Sequence, residues 1–236
     1  MKKIIQVLLV VLGLCGIGCG AYLADYYHAE DKAFKSIDNV NSVTLVEVED
    51  SQIMYVPENA KTGLIFYPGG KVEYESYAPL MKALAEEGIL CVLLHMPGNL
   101  AVLDVDAADG VQQMYPEVKA WYIGGHSLGG AMAASYVGEH IGDYEGLLLL
   151  AAYSTADLSD SDLNVVSLYG SEDKVLKMET YEENKSNLPE DFVEFVIEGG
   201  CHSGFAYYGE QDGDGIPTIS QKEQIAKIVE IFVESL

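Results

Sequence analysis

Arginine is absent from the sequence. Thirteen lysines stand against 37 aspartates and glutamates, leaving a formal charge of −24 over 236 residues. Surfaces that grip nucleic acid are built from clustered Arg and Lys, so this balance argues against such a role. It also repels anionic substrates unless a local patch intervenes, which favours a neutral, hydrophobic or cationic one. The expected partner is a small neutral or apolar acyl substrate. Cysteine is scarce as well, with four residues at positions 15, 19, 91 and 201. Two of them fall in the apolar N-terminal stretch. Only Cys91 and Cys201 remain for the folded part, too few for a disulfide framework. No cluster of metal-ligand spacing and no dinucleotide fingerprint occurs, so neither metal nor cofactor is expected. Internal repeats and low-complexity tracts are also missing.

What is present begins with Lys2 and Lys3, followed by the apolar run Ile4 to Leu23, broken only by Gln6 and small residues. Roughly 20 apolar residues suffice to span a bilayer as a helix. The lysines would stay cytoplasmic and place the bulk of the chain outside. The expected division is a transmembrane anchor over 1–24, a linker over 25–40 and one catalytic domain over 41–236. A signal cleaved at Ala21, or lipid attachment at Cys19, is the alternative fate of the N-terminus. Asp25 to Asn41 reads as a linker or short helix.

The remainder is rich enough in apolar residues, at 49% for the whole chain, to fill one sizeable core. Val43–Val46 and Ile53–Val56 suggest a hairpin. Short apolar runs then follow at Leu64–Tyr67, Ile89–Leu94, Trp121–Ile123, Leu147–Leu150, Val165–Tyr169 and Phe192–Ile197. Helical stretches alternate with them at Tyr77–Glu87, Val105–Tyr115, Leu128–Val137, Met178–Lys185 and Gln221–Phe232. Apolar runs without period-two alternation, interleaved with helices, predict a mostly parallel sheet covered on both faces.

One five-residue segment carries the chemistry. Gly125-His126-Ser127-Leu128-Gly129 stands between a buried strand and an alanine-rich helix, the context of a G-x-S-x-G nucleophile elbow. The turn holds its serine in strained geometry, and the glycines make room for it. A serine hydroxyl needs a base to take its proton, and a carboxylate to orient that base. Two histidines follow Ser127. His140 lies 13 residues along the same helix, about 20 Å away at 1.5 Å per residue, and cannot reach. His202 sits in the loop Gly199-Gly200-Cys201-His202-Ser203-Gly204, after the last strand. Asp173, just beyond Val165–Tyr169, is the carboxylate of choice, with Glu172 and Asp157 as competitors. The oxyanion donors are expected to be the backbone N–H groups of Leu128 and of Gly70, with Gly69 or Lys71 one step away.

The elbow, the Tyr67-Pro68-Gly69-Gly70 turn after an early strand, and the downstream Asp and His resemble the α/β-hydrolase superfamily. More narrowly, they look like its small, capless members grouped with dienelactone hydrolase-like proteins. Dienelactone hydrolases proper use Cys as nucleophile, where this chain has Ser127. The resemblance implies a serine hydrolase cleaving an ester or similar acyl bond through Ser127, His202 and Asp173. A peptidase or amidase with the same triad, or a non-catalytic binding module, is the alternative. Ala151 to Asn164 is too short to build a lid, so the site should be open and shallow.

Other residues are read more plainly. His95 could line the pocket or pack at a strand end, and His126 should support the elbow. Tyr207 and Tyr208 could form a substrate wall or simply pack. Gln211 to Gly215 has part of a calcium-loop pattern but lacks the third carboxylate and the distant Glu, and reads as a turn near the His202 loop.

Overall fold

A computed structural model describes residues 18, 20, 22–38, 43–48 and 51–236. Among these, eight strands form one sheet: β1 (Val43–Val48), β2 (Gln52–Pro57), β3 (Thr62–Tyr67), β4 (Ile89–Leu94), β5 (Ala120–His126), β6 (Gly146–Leu150), β7 (Asn164–Gly170) and β8 (Val193–Ile197). Their spatial order is β1-β2-β4-β3-β5-β6-β7-β8. The β1–β2 and β2–β4 pairs are antiparallel, and every later pair is parallel. The helices with described bounds are α1 (Asp31–Asp38), α2 (Ala78–Glu86), α3 (Leu128–Glu139), α4 (Met178–Asn184) and α5 (Gln221–Glu234).

The central strands are continuous apolar runs because both of their faces are covered. In β3, Leu64 and Phe66 join a core with Leu80, Met81 and Leu84 of α2 and Ile225, Ile228 and Phe232 of α5. Ile65 and Tyr67 point the other way, into a core with Ala133, Ala134 and Val137 of α3. Helix α5 starts on a capping box, in which Ser220 accepts from the Glu223 N–H while Glu223 reaches back to the Ser220 N–H. Among the described residues no large cap covers the sheet, and the Ala151–Leu163 connection carries no regular element.

The helix expected over Val105–Tyr115 does not form. Only one short 3-10 turn, Gln112–Met114, occurs there, with another just before it at Ala101–Leu103. Asp104, Asp106 and Asp109 favour turns over helix interior, and Gly110 takes a φ of +80°. The buried Tyr67 hydroxyl also takes over backbone groups of the segment, donating to the Val105 carbonyl at 2.7 Å and accepting from the Ala108 N–H at 3.2 Å.

The expected membrane span Ile4–Leu23 lies outside the described residues except for Gly18, Gly20, Tyr22 and Leu23. Among the described residues no helix is long and apolar enough to cross a membrane. Residues 25–38, read as a linker or short helix, pack onto the domain. Ala33 of α1 is fully buried. Tyr27 bridges to Val72, its N–H donating to the Lys71 carbonyl at 2.7 Å and its carbonyl accepting from the Glu73 N–H at 2.9 Å.

Candidate active site

Parallel strands all end at the same edge, and the loops beyond their carboxyl ends meet there. Ser127 lies between β5 and α3 with φ 52° and ψ −123°, a conformation that costs a non-glycine residue about 1–3 kcal/mol. The surroundings enforce it. The Ser127 N–H donates to the Leu150 carbonyl at 2.9 Å, and its carbonyl accepts from the Ala131 N–H at 3.1 Å. A Cβ on Gly125 would lie 2.6 Å from both the Tyr67 carbonyl oxygen and the Gly129 backbone. One on Gly129 would overlap the carbonyls of Tyr67 and Pro68. The glycines of the motif are therefore needed for close passage of β3, β5 and α3.

His202 and Asp173 arrive from β8 and β7. The His202 Nδ1–Asp173 Oδ2 distance is 2.8 Å, and both side chains are buried. The other carboxylate oxygen, Oδ1, accepts from the N–H groups of Val175 and Leu176 at 2.9 and 2.8 Å. With both oxygens committed as acceptors, Asp173 favours the tautomer in which His202 Nδ1–H donates to it and Nε2 carries no proton. The competing carboxylates are engaged elsewhere: Asp157 is exposed and bonded to Ser159, and Glu172 accepts from Ser171.

Ser127 and His202 open on one cavity of about 240 Å³, lined also by Leu128, Ala131, Ala151, Ala152, Tyr153 and the Val175–Lys177 loop. The turn after β3 adjoins it. There the Gly69 N–H donates to the Tyr77 hydroxyl at 3.0 Å and the Lys71 N–H to the Asn99 carbonyl at 2.7 Å. The Gly70 N–H is engaged by none of the described residues. A Cβ on Gly70 would lie 2.8 Å from Leu128 Cδ2 and 3.3 Å from Leu128 Cβ, so the turn packs against the residue that opens α3. Leu128 opens α3, where the first N–H groups have no partner within the helix and the dipole favours negative charge.

The remaining sequence candidates fall outside this cavity. His95 stacks on Tyr74 with centroids 4.7 Å apart and borders a separate cavity with Ser51 and Gln52. His140 stacks on Tyr136 at the end of α3. Tyr207 and Tyr208 are buried and pack rather than line the site, while Tyr153, unnoticed in the sequence, does line it. Cys91 and Cys201 are both buried free thiols.

Two further residues hold the His202 loop. Gln224 of α5 accepts from the Cys201 N–H and donates to the Cys201 carbonyl, at 3.1 and 2.9 Å. Asp214, read from the sequence as part of a turn, accepts from the N–H groups of Ser203 (2.8 Å), Gly215 (2.8 Å), His202 (3.2 Å) and Lys174 (3.3 Å). It thus clamps the His202 loop to the loop that carries Asp173. Burial opposes its ionisation, but the amide donors outweigh burial and hold its carboxyl below the usual range. A carboxylate whose folded-state pKa lies below the unfolded value adds stability that is fully present above the unfolded value. That stability drains as pH falls through the folded one. Asp214→Asn, which retains a single oxygen acceptor, should lower Tm at neutral pH by about 2–10 °C. The gap to wild type should narrow below about pH 4, as the native carboxylate protonates. Thermal melts giving a constant gap from pH 7 to pH 3 would contradict the clamp.

The profile of the alpha/beta hydrolase family matches residues 63–226. The chain belongs to that family. No curated protein matches the sequence. Among solved structures, this hydrolase is similar to dienelactone hydrolase from Anabaena variabilis, at 15% identity and a TM-score of 0.62, over 82% of this chain and 99% of that one. It is also similar to Est1E from Butyrivibrio proteoclasticus, at 13% identity and a TM-score of 0.58, over 83% and 99%. Likeness at such identity concerns the fold alone.

Proposed function

We propose that this hydrolase cleaves small carboxylic esters or similar acyl bonds by way of a Ser127 acyl-enzyme. The observation that carries the reading is the buried His202–Asp173 pair opening on the same cavity as Ser127, itself held in the strained elbow. Ser127 Oγ attacks the acyl carbonyl while His202 Nε2 takes its proton. Asp173 keeps the imidazole in that tautomer and stabilises the imidazolium that forms. The N–H groups of Leu128 and Gly70 receive the developing oxyanion. His202 then returns the proton to the leaving alkoxide, the acyl-enzyme remains, and water enters by the same route to release the acid.

The cavity sets the substrate's size. Its walls at Ala131, Ala151 and Ala152 are short, and among the described residues no lid stands over it. Each methylene that a pocket buries is worth about 0.8 kcal/mol, so a long acyl chain gains only where there is a tunnel to hold it. The test is a p-nitrophenyl ester series on wild type and Ser127→Ala. Acetate and butyrate should turn over better than palmitate, with no jump in rate above the critical micelle concentration, and Ser127→Ala should be inert. Activity surviving in Ser127→Ala would move the nucleophile elsewhere, and a steep rise toward palmitate would reveal a tunnel.

A further inference from the structure

Beneath the turn after β3 lies a buried pair that the catalytic steps do not use. Tyr77 and His126 are both buried, and the Tyr77 hydroxyl is 2.7 Å from His126 Nδ1. The same hydroxyl accepts the Gly69 N–H. A phenol has one hydrogen to give. With its oxygen accepting from Gly69, that hydrogen has one described acceptor in reach, His126 Nδ1. The bonds therefore run in one direction, from the Gly69 N–H to the Tyr77 oxygen and from the Tyr77 O–H to Nδ1. This needs a neutral imidazole and a protonated phenol. Burial first, and the adjoining His202 ring second, push the His126 pKa well below the usual imidazole range, while burial raises that of Tyr77.

The pair acts on the peptide that presents Gly70. The Gly69 carbonyl accepts from the Val72 N–H at 3.2 Å, while the Gly69 N–H is held by Tyr77. Among the described residues no peptide bond is cis, so the Gly70 N–H points opposite the pinned Gly69 carbonyl. Both peptide planes at Gly69 are thus fixed, and residue 69 has to be glycine for it. A Cβ there would lie 2.8 Å from the Tyr77 oxygen and 2.9 Å from His126 Nδ1. His126 is itself the residue before Ser127, and its ring also meets His202 at 4.5 Å between centroids.

We propose that Tyr77 and His126 are positioning residues that set the Gly70 N–H as an oxyanion donor, locking the β3 turn to the elbow. This rests on the acyl-enzyme reading above. Both side chains are buried beneath the turn rather than exposed to substrate, so the pair's loss should appear in kcat rather than in KM.

The experiment uses the full chain with Tyr77→Phe, His126→Leu and His126→Asn. Asn places an oxygen where Nδ1 stands and can still accept from Tyr77, whereas Leu cannot. Each variant is compared with wild type for kcat and KM on p-nitrophenyl butyrate, for inhibition by a trifluoromethyl ketone and for Tm. The ketone's adduct with a serine is an oxyanion that needs the same donors. Tyr77→Phe and His126→Leu should lower kcat about 10–100-fold and weaken the ketone by a similar factor, with KM within about threefold. His126→Asn should lose distinctly less than His126→Leu. A Tyr77→Phe enzyme with wild-type kcat, a kcat loss with undiminished ketone affinity, or equal losses in the two His126 variants would each overturn the proposal. The His126 comparison decides alone if Tyr77→Phe does not fold. Wild type is first labelled to completion with a fluorophosphonate: absence of label on Ser127 sinks the acyl-enzyme reading and this proposal together, whereas label with an unchanged Tyr77→Phe sinks only the pairing.

Discussion

His202→Ala should lower kcat on a short-chain ester by about 10⁵–10⁶-fold, and Asp173→Asn by about 10⁴-fold. The order follows from the role proposed for each residue. On that mechanism, no group takes the Ser127 proton once His202 is gone. Without the Asp173 charge, the base remains but loses its tautomer control: an Asn amide can donate toward Nδ1, forcing the proton onto Nε2. The 2.8 Å contact, with Oδ1 already committed to two N–H groups, leaves little room to repair that fault. Residues acting as one unit are also non-additive, so the double variant should be barely worse than His202→Ala. Asp157→Asn is the control, exposed and bonded only to Ser159. Steady-state rates on the four variants and wild type decide it. An Asp173→Asn enzyme within tenfold of wild type would hand the orienting role to another carboxylate.

Much of this arrangement is legible in the chain because it is local. A strand buried on both faces is spelled by consecutive apolar residues, as in Ile89–Leu94, which is β4 to the residue. The elbow is legible because its constraint falls on neighbours: Gly125 and Gly129 are small so that the carbonyls of Tyr67 and Pro68 can pass. Asp173 is harder. The sequence places it and Glu172 equally near the end of β7, and only hydrogen bonding separates them. Val105–Tyr115 misleads because its helical spacing is real while its backbone groups are claimed by Tyr67, some 40 residues earlier, a partner no local pattern reveals. Asp214 fails for a related reason. A carboxylate that holds four amides from three segments looks, in sequence, like any acidic turn. The docking of residues 25–38 is equally silent, since it depends on Tyr27 meeting the turn at Lys71–Glu73.

Gly129→Ala should damage both stability and catalysis, since one atom position serves both. The added Cβ would overlap the carbonyl oxygens of Tyr67 and Pro68 and lie 2.7 Å from the Pro68 carbonyl carbon. These are backbone atoms at the buried end of β3, so no side chain can swing aside to make room. Overpacking a buried site costs about 1–3 kcal/mol, and a clash of this kind belongs at the upper end. At about 2–4 °C per kcal/mol for a chain of this length, Tm should fall by roughly 6–12 °C. Separation of α3 from the Pro68–Gly70 turn would relieve the clash and shift Leu128 relative to Gly70, the two proposed oxyanion donors. The protein that still folds should then show a reduced kcat at a nearly unchanged KM. Gly142→Ala is the matched control: it meets nothing within 4 Å and has no positive φ, so it should leave Tm and kcat alone. Melting curves and steady-state rates of the two variants check this directly. A Gly129→Ala protein melting within about 2 °C of wild type would mean that the elbow and the β3 turn are less tightly joined than their contacts require.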